Sequence, residues 1–421
     1  MGIKPIYLIF LVVTTFFSFV GYESIDVVIA GPQMTEIEYF ENEVDEISRV
    51  SGIKIKYLPL SDVETYMIEN PDSNIDIAIL PNPQGVVNLG DRGLLVPINK
   101  MISEQELKKN FSKHLLEITT SKKNNINFGV FFRLFPNSLI WYDVQKFKAL
   151  GSPQFDNYQE MLDLTVEYAN KNRALWCLDI ESGASTGWIA TNWLEDLILH
   201  NYGSEVYDAW SSQEIFSSDN EIILSIGEIG KLVFIEGGVY GGSKRVIRKE
   251  FRNNFKNLLD SNNDCVFSWS GHYSSYFMPE DKNFKIDYDF FKFPSLVNKN
   301  SMVGIGDVLV ATNDRTDTKI VLQSLVSKHF GKDWMDESDS TYIPANILNE
   351  NKISNPMLEK EFLLVHNSLK TDSFRYDASE LMERRIGANA LWKALKSYIE
   401  LGKEKSYLEI YDITKDLDSK Y

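Results

Sequence analysis

Histidine and cysteine are scarce in this chain. Five histidines and two cysteines are spread over 421 residues. No two histidines stand four apart, and none belongs to a Cys/His cluster, so the sequence writes no metal site. No G-x-S-x-G nucleophile elbow occurs either. The stretch Gly237-Gly-Val-Tyr-Gly-Gly-Ser-Lys244 lacks phosphate-loop spacing, because Ser243 stands where Lys must follow Gly242. It reads as a flexible turn, or as backbone that comes close to a ligand. No cofactor is expected. A glycoside hydrolase is not excluded, since its two carboxylates leave no short pattern. Positive charge is short as well: 43 Lys and Arg face 60 Asp and Glu, for a net charge of −17. That balance argues against nucleic acid and an anionic membrane as partners, although acidity alone names no ligand.

Long apolar runs are missing beyond the N-terminus. Lys4 precedes the apolar run from Ile6 to Val20. At about 15 residues it falls short of the roughly 20 that span a bilayer, so residues 1–24 are expected to be a secretory signal peptide. No cysteine follows for lipid attachment. A soluble periplasmic chain is expected, with an uncleaved N-terminal tether as the alternative. In an oxidising compartment Cys177 and Cys265 can close one disulfide; two unrelated buried thiols are the other reading.

What is present is an alternation of strands and helices. Ile25 to Ala30 reads as a strand ending at Gly31-Pro32. Ile37, Phe40, Val44, Ile47 and Val50 share one helix face, stopped by Gly52. Ile53, Ile55 and Tyr57 alternate with lysines as a second strand. Ser61 and Glu64 have capping-box spacing for a second helix. Ile75 to Leu80 is a third strand, running into Pro81-Asn-Pro-Gln84. This β-α-β-α-β order predicts a doubly wound α/β sheet, with ligands beyond the carboxyl ends of its strands. A second α/β region follows a crossing near Arg133. It has a helix over Tyr158 to Ala169, a strand over Ala174 to Ile180, a helix from Trp188 and a strand over Cys265 to Trp269. Later come a strand over Met302 to Ala311, a helix carrying Ile320 to Phe330 with a stop at Gly331, and a last helix carrying Leu391, Trp392, Leu395, Tyr398 and Ile399. The predicted division is 25–133 plus 302–333 for one lobe and 134–301 plus 334–421 for the other.

Two loops after strands are rich in aromatic and polar groups. Glu181-Ser-Gly-Ala-Ser-Thr-Gly-Trp188 offers a carboxylate, hydroxyls, backbone N–H groups and an indole. Trp269, His272, Tyr273 and Tyr276 form a second cluster. Aromatic planes cover the C–H faces of sugars, while carboxylates, amides and Arg fix the hydroxyls. For any one aromatic, core packing is the competing role.

The stretch Trp176 to Asp196, Phe374-Arg-Tyr-Asp-Ala-Ser-Glu-Leu-Met382 with Ile386-Gly-Ala-Asn-Ala-Leu-Trp392, and Val303-Gly-Ile-Gly-Asp307 together resemble extracellular solute-binding proteins of α-glucoside ABC transporters. The order of the segments follows that family across nearly the whole mature chain. The resemblance implies a two-lobed periplasmic-binding-protein fold with sugar in the interlobe cleft, and it supports pairing of Cys177 with Cys265. It implies sugar stacking by Trp392 and ligand-binding roles for Glu181, Asp377, Gly306 and Asp307. Gln84 and Arg133 join them from their strand-end and hinge positions, and Trp188, Trp269 and His272 from the aromatic loops. Glu383 after Met382 and Ile189 after Trp188 depart from the Pro common in the family, which bears on local loop shape. The expected function is a non-catalytic binding component that captures a trehalose-, sucrose-, maltose- or glucosylglycerol-class sugar as a monomer and docks on permease subunits. A secreted retaining α-glycosidase and a periplasmic sugar sensor are the alternatives.

Overall fold

The computed structural model describes residues 25–215 and 219–401. The expected signal segment therefore lies outside the described residues. Nine strands are described: β1 (Val27–Gly31), β2 (Ile55–Pro59), β3 (Ile77–Leu80), β4 (Gly129–Pro136), β5 (Leu139–Asp143), β6 (Phe267–Trp269), β7 (Tyr288–Lys292), β8 (Met302–Ala311) and β9 (Phe374–Tyr376). Six form one sheet in the order β2-β1-β3-β8-β4, with β9 paired to β8. The strands β2, β1 and β3 run parallel, as the βαβ reading requires. β8 then returns antiparallel to β3 and β4, so the sheet is mixed rather than wholly parallel. The second lobe holds an antiparallel sheet in the order β6-β5-β7.

Local chemistry accounts for the helices around the first sheet. The helix Ile37–Ser51 buries Phe40 and Val44 and ends at Gly52. The helix Val63–Glu69 starts one residue away from the Ser61 reading: Asp62 is its cap and accepts from the Thr65 N–H at 2.9 Å. A charged oxygen at a helix N-terminus satisfies an orphan donor and complements the dipole. Glu64 is thereby left to accept from Asn88 Nδ2 at 2.5 Å on the next helix, Pro83–Asp91. That helix is capped by Asn82 and begins at Pro83.

Two further expectations are corrected. The helix predicted to stop at Gly331 spans Thr316–Leu325, and Gly331 precedes a separate short helix, Lys332–Asp336. Ile320, expected on its apolar face, is exposed. Ala174 to Ile180 is extended but is no strand. Trp176 makes single bridges to Val239 and Phe267, two different segments, so no continuous ladder forms.

Buried residues form two clusters. The first surrounds the six-stranded sheet and extends beneath one face of the smaller sheet through Leu139, Trp141 and Phe290. The second fills the other lobe around Trp193, Leu197, Trp269 and Phe293. Residues 334–376, assigned by sequence to the second lobe, contribute Trp334, Tyr342, Leu358 and Tyr376 to the first cluster. From Ala378 onward the buried apolar residues, among them Met382, Ile386 and Leu391, belong to the second, while the partly buried Leu381 still packs against the first. Cys177 and Cys265 are joined by a disulfide, with Cα atoms 5.6 Å apart.

Candidate functional site

The carboxyl ends of β1 and β3 open onto a cleft of about 850 Å³. From the first lobe it is lined by Pro32, Asp62, Glu64, Asn82, Gln84 and Asn88. From the other side come Ser379, Glu380, Arg384, Arg385 and Trp392. Open α/β sheets place ligands at such strand ends. The volume lies within the range of about 300–1,000 Å³ typical of small-molecule sites. Four carboxylates (Asp62, Glu64, Glu380, Glu383) face two guanidiniums (Arg384, Arg385) along the wall. The balance is acceptor-rich, which suits donated hydroxyls and disfavours an anion.

Gln84 and Trp392 are both half-buried in this cleft. Trp392 opens the helix Trp392–Leu401, whose apolar side is anchored by Leu395, Tyr398 and Ile399. The Glu181–Trp188 loop flanks it. A Cβ added to Gly187 would lie 2.2 Å from the Trp392 carbonyl oxygen, and Gly187 sits at φ 118°. Only glycine fits both demands. Gly187→Ala is therefore expected to destabilise the fold by about 1–3 kcal/mol, the range for overpacking plus strain, measured by urea denaturation. Trp188 itself packs edge-on against Tyr273 and Phe251, with ring centroids 4.8 and 5.5 Å away. The Glu181 carboxylate accepts from the Gly183 N–H at 2.7 Å, which shapes the loop.

Arg133, Gly306 and Asp307 lie together at the β4–β8 pairing and do not line the cleft. The Arg133 guanidinium donates to Asp307 at 2.5 Å and lies over Phe135, 5.1 Å from the ring centre. Gly306 has no room for a side chain, since a Cβ would stand 2.2 Å from the Arg133 carbonyl oxygen. Tyr376 ties this layer to the cleft: its hydroxyl donates to the carbonyls of Gly306 and of cleft-lining Pro81, each at 2.9 Å.

Trp269 and His272 are placed inside the protein. The Trp269 ring stacks between Trp193 and Phe293, at 5.6 and 4.7 Å, and its indole N–H donates to Asp196 at 2.7 Å. Both faces are occupied by core rings. His272 is 2% exposed, stacks on Phe135 and meets Glu361 at 2.7 Å.

Asp377 stands behind the cleft wall. It caps the short helix Ala378–Leu381, accepting from the Glu380 N–H at 3.2 Å and the Ser379 hydroxyl at 2.7 Å. Glu195 lies beside it, fully buried, and accepts from the Ser379 N–H at 3.1 Å. Burial, then the adjacent Asp377, raises the Glu195 carboxyl well above its usual range. The same two causes push Glu380, on the cleft wall, up to about 7, opposed by Arg384.

The Glu380 shift has a definite sign. Its folded value is raised above the ordinary 4.5, so the stability it contributes is full below pH 4.5 and is lost as pH rises through 7. Glu380→Gln is thus expected to match the parent in stability at low pH and to exceed it at pH 8 by on the order of 1–2 kcal/mol, allowing for partial exposure. Thermal unfolding across that range checks it; a pH-independent difference contradicts it.

Asp62, Glu64, Asn88, Glu380 and Arg384 line the cleft without having been singled out from the sequence. Asp62 and Glu64 sit in the first turn after β2, a placement that the strand-end rule points to once the strand is known. The described residues contain no group of three or more His, Cys, Asp or Glu able to hold a metal ion. No described helix is long and apolar enough to cross a membrane.

No family model matches the chain. It is 28% identical over 383 residues to the alpha-glucosides-binding periplasmic protein AglE of Rhizobium meliloti, covering 88% of this chain and 82% of that protein. It is 24% identical over 377 residues to the osmoprotective compounds-binding protein GgtB of Synechocystis, covering 88% and 87%. Among solved structures, the bacterial solute receptor AcbH superposes with a TM-score of 0.72 over 94% of this chain and 97% of that one, at 14% identity. The maltose-bound MalE3 of T. maritima does so with a TM-score of 0.64 over 94% and 99%, at 12% identity. The resemblance read from the motifs holds along nearly the whole chain: this protein is similar over 88% of its length to proteins named for binding alpha-glucosides and osmoprotective compounds, and it has the two-lobed α/β fold of solved solute-binding proteins.

Proposed function

We propose that the protein is the periplasmic substrate-binding component of an ABC importer and holds an α-glycoside of about disaccharide size in the interlobe cleft, without catalysis. The observation that carries this reading is the cleft wall, where a half-buried Trp392 and an amide, Gln84, share one acceptor-rich space between two lobes. The indole covers a pyranose face, and Gln84, Glu64 and Glu380 fix hydroxyls. Asp377 acts one step back, by capping the helix that carries Glu380. Arg133 and Asp307 brace the β4–β8 layer on which the lobes hinge. The α-glucoside ligand named for AglE and the osmoprotectants named for GgtB support the choice of sugars. Closure of the lobes on the ligand gives the form that docks on a permease.

Isothermal calorimetry of the monomeric protein against trehalose, sucrose, maltose and glucosylglycerol tests the reading. Heat and a thermal shift with at least one of them are expected, with no release of nitrophenol from nitrophenyl α-glucoside. Absence of heat with all four would end the α-glycoside assignment.

A further inference from the structure

Between the helix Ala378–Leu381 and the turn Ile386–Leu391 the chain carries three consecutive charged residues, Glu383, Arg384 and Arg385. The segment is held from both sides. Met382 is buried in the second core, and the N–H groups of Ile386 and Gly387 donate to the Glu383 carbonyl at 2.7 and 3.0 Å. The three side chains are exposed, and all line the cleft. Arg385 is engaged by Glu383, Nε to Oε2, at 2.7 Å. Arg384 forms no ion pair among the described residues.

Across the cleft stand Asp62 and Glu64 of the first lobe. Glu64 is turned to Asn88. Asp62 is fixed by its own helix, with Thr65 N–H and Oγ1–H donating one bond to each carboxylate oxygen at 2.9 and 2.8 Å. Each oxygen keeps a free acceptor site. Asp62 is held below the usual carboxylate range by these Thr65 bonds first, and by the Arg384 charge as well. A rigid, aligned carboxylate thus faces a guanidinium on the opposite lobe that acts on Glu380 by charge but forms no ion pair with it. The planar fork of Arg matches a carboxylate in that arrangement.

We propose that Arg384 is a cross-cleft latch: as the lobes close on a sugar, its guanidinium pairs with the Asp62 carboxylate and holds the two lobes together at the cleft mouth. This rests on the cleft being the sugar site. The pair forms after encounter, so it slows release rather than speeding capture. It lies at an exposed mouth, so salt weakens it.

The test is a double-mutant cycle on the full chain, with Arg384→Gln and Asp62→Asn. Asparagine keeps the helix cap while removing the charge. Dissociation constants and release rates are measured with whichever of trehalose, sucrose, maltose and glucosylglycerol gives the largest heat. Each single variant is expected to bind about threefold more weakly through faster release, the range of an exposed ion pair. The double variant should be no weaker than either single, and the differences should vanish at about 1 M NaCl. Parent-like affinity in the single variants, or additive losses in the double, overturns the latch alone. No heat for the parent protein with any sugar overturns the binding reading, and the latch with it.

Discussion

Replacing Trp392 by alanine is expected to raise the dissociation constant for the bound sugar about thirty- to hundredfold, a loss of about 2–3 kcal/mol typical of a buried aromatic anchor. The polar groups of the cleft cannot supply this, because each hydroxyl they bind gives up an equal bond to water and the net gain is only about 1 kcal/mol. An indole face differs: it removes apolar C–H surface from water and offers no competing donor on that side. Trp392 is the one tryptophan on the cleft wall, and its backbone is pinned by Gly187 against the carbonyl. The plane is therefore positioned before the sugar arrives, so little ordering cost is charged to binding. Trp392→Phe keeps a smaller plane and is expected to lose about fivefold. The indole is only half-buried in the free protein, so Trp392→Ala should move the ligand-free Tm by less than about 3 °C. Calorimetry alongside thermal unfolding separates the two effects. An affinity loss of less than threefold would remove Trp392 from the stacking role.

How far the sequence reaches depends on the range over which each feature is decided. The helix Tyr158–Ala169 and the strand Met302–Ala311 are read to the residue, because a cap at Asn157 and the β-branched and apolar residues around Gly304, Gly306 and Asp307 settle them locally. Asp62 displaces Ser61 as a cap for an equally local reason, since a carboxylate is the better acceptor at a helix start. Gln84 reaches the cleft because its position after β3 follows from the strand-end rule. Trp269 shows the opposite situation. Its place after a run of strand residues fits a ligand loop, but the ring is enclosed by Trp193 and Phe293, which approach from separate segments. His272 is claimed by Glu361, 89 residues away. The lobe division misplaces 334–376 for a related reason: β9 pairs with β8 of the first sheet, a contact that no periodicity encodes. Cleft residues such as Glu64 and Glu380 come from opposite lobes, and only the folded chain shows that they face one space.

Removing the Cys177–Cys265 disulfide is expected to carry the largest stability cost of any change considered, about 4–5 kcal/mol. The bond closes a loop of 88 residues. Loop-closure entropy for that length gives a cost near the upper end of the usual range, and native-state relaxation can only reduce it. Both sulfurs are buried, with Cys177 at 1% exposure and Cys265 at 0%. The Cys177→Ala, Cys265→Ala double variant avoids leaving a polar atom in their place. For a chain of this size the loss corresponds to a Tm at least about 5 °C lower, with a steeper urea dependence as the unfolded chain expands. The bond also bears on the site. Cys177 lies just before the Glu181–Trp188 loop, and its N–H donates to the Phe267 carbonyl on β6 at 2.9 Å. Neither that hydrogen bond nor the packing of Gly187 on Trp392 is made by the sulfur atoms themselves. The crosslink restrains the unfolded ensemble far more than the native loop, so sugar affinity well below the melting transition should stay within about threefold of the parent. A large affinity loss at unchanged Tm would reverse this assignment, making the disulfide a shaper of the cleft rather than a stabiliser of the second lobe.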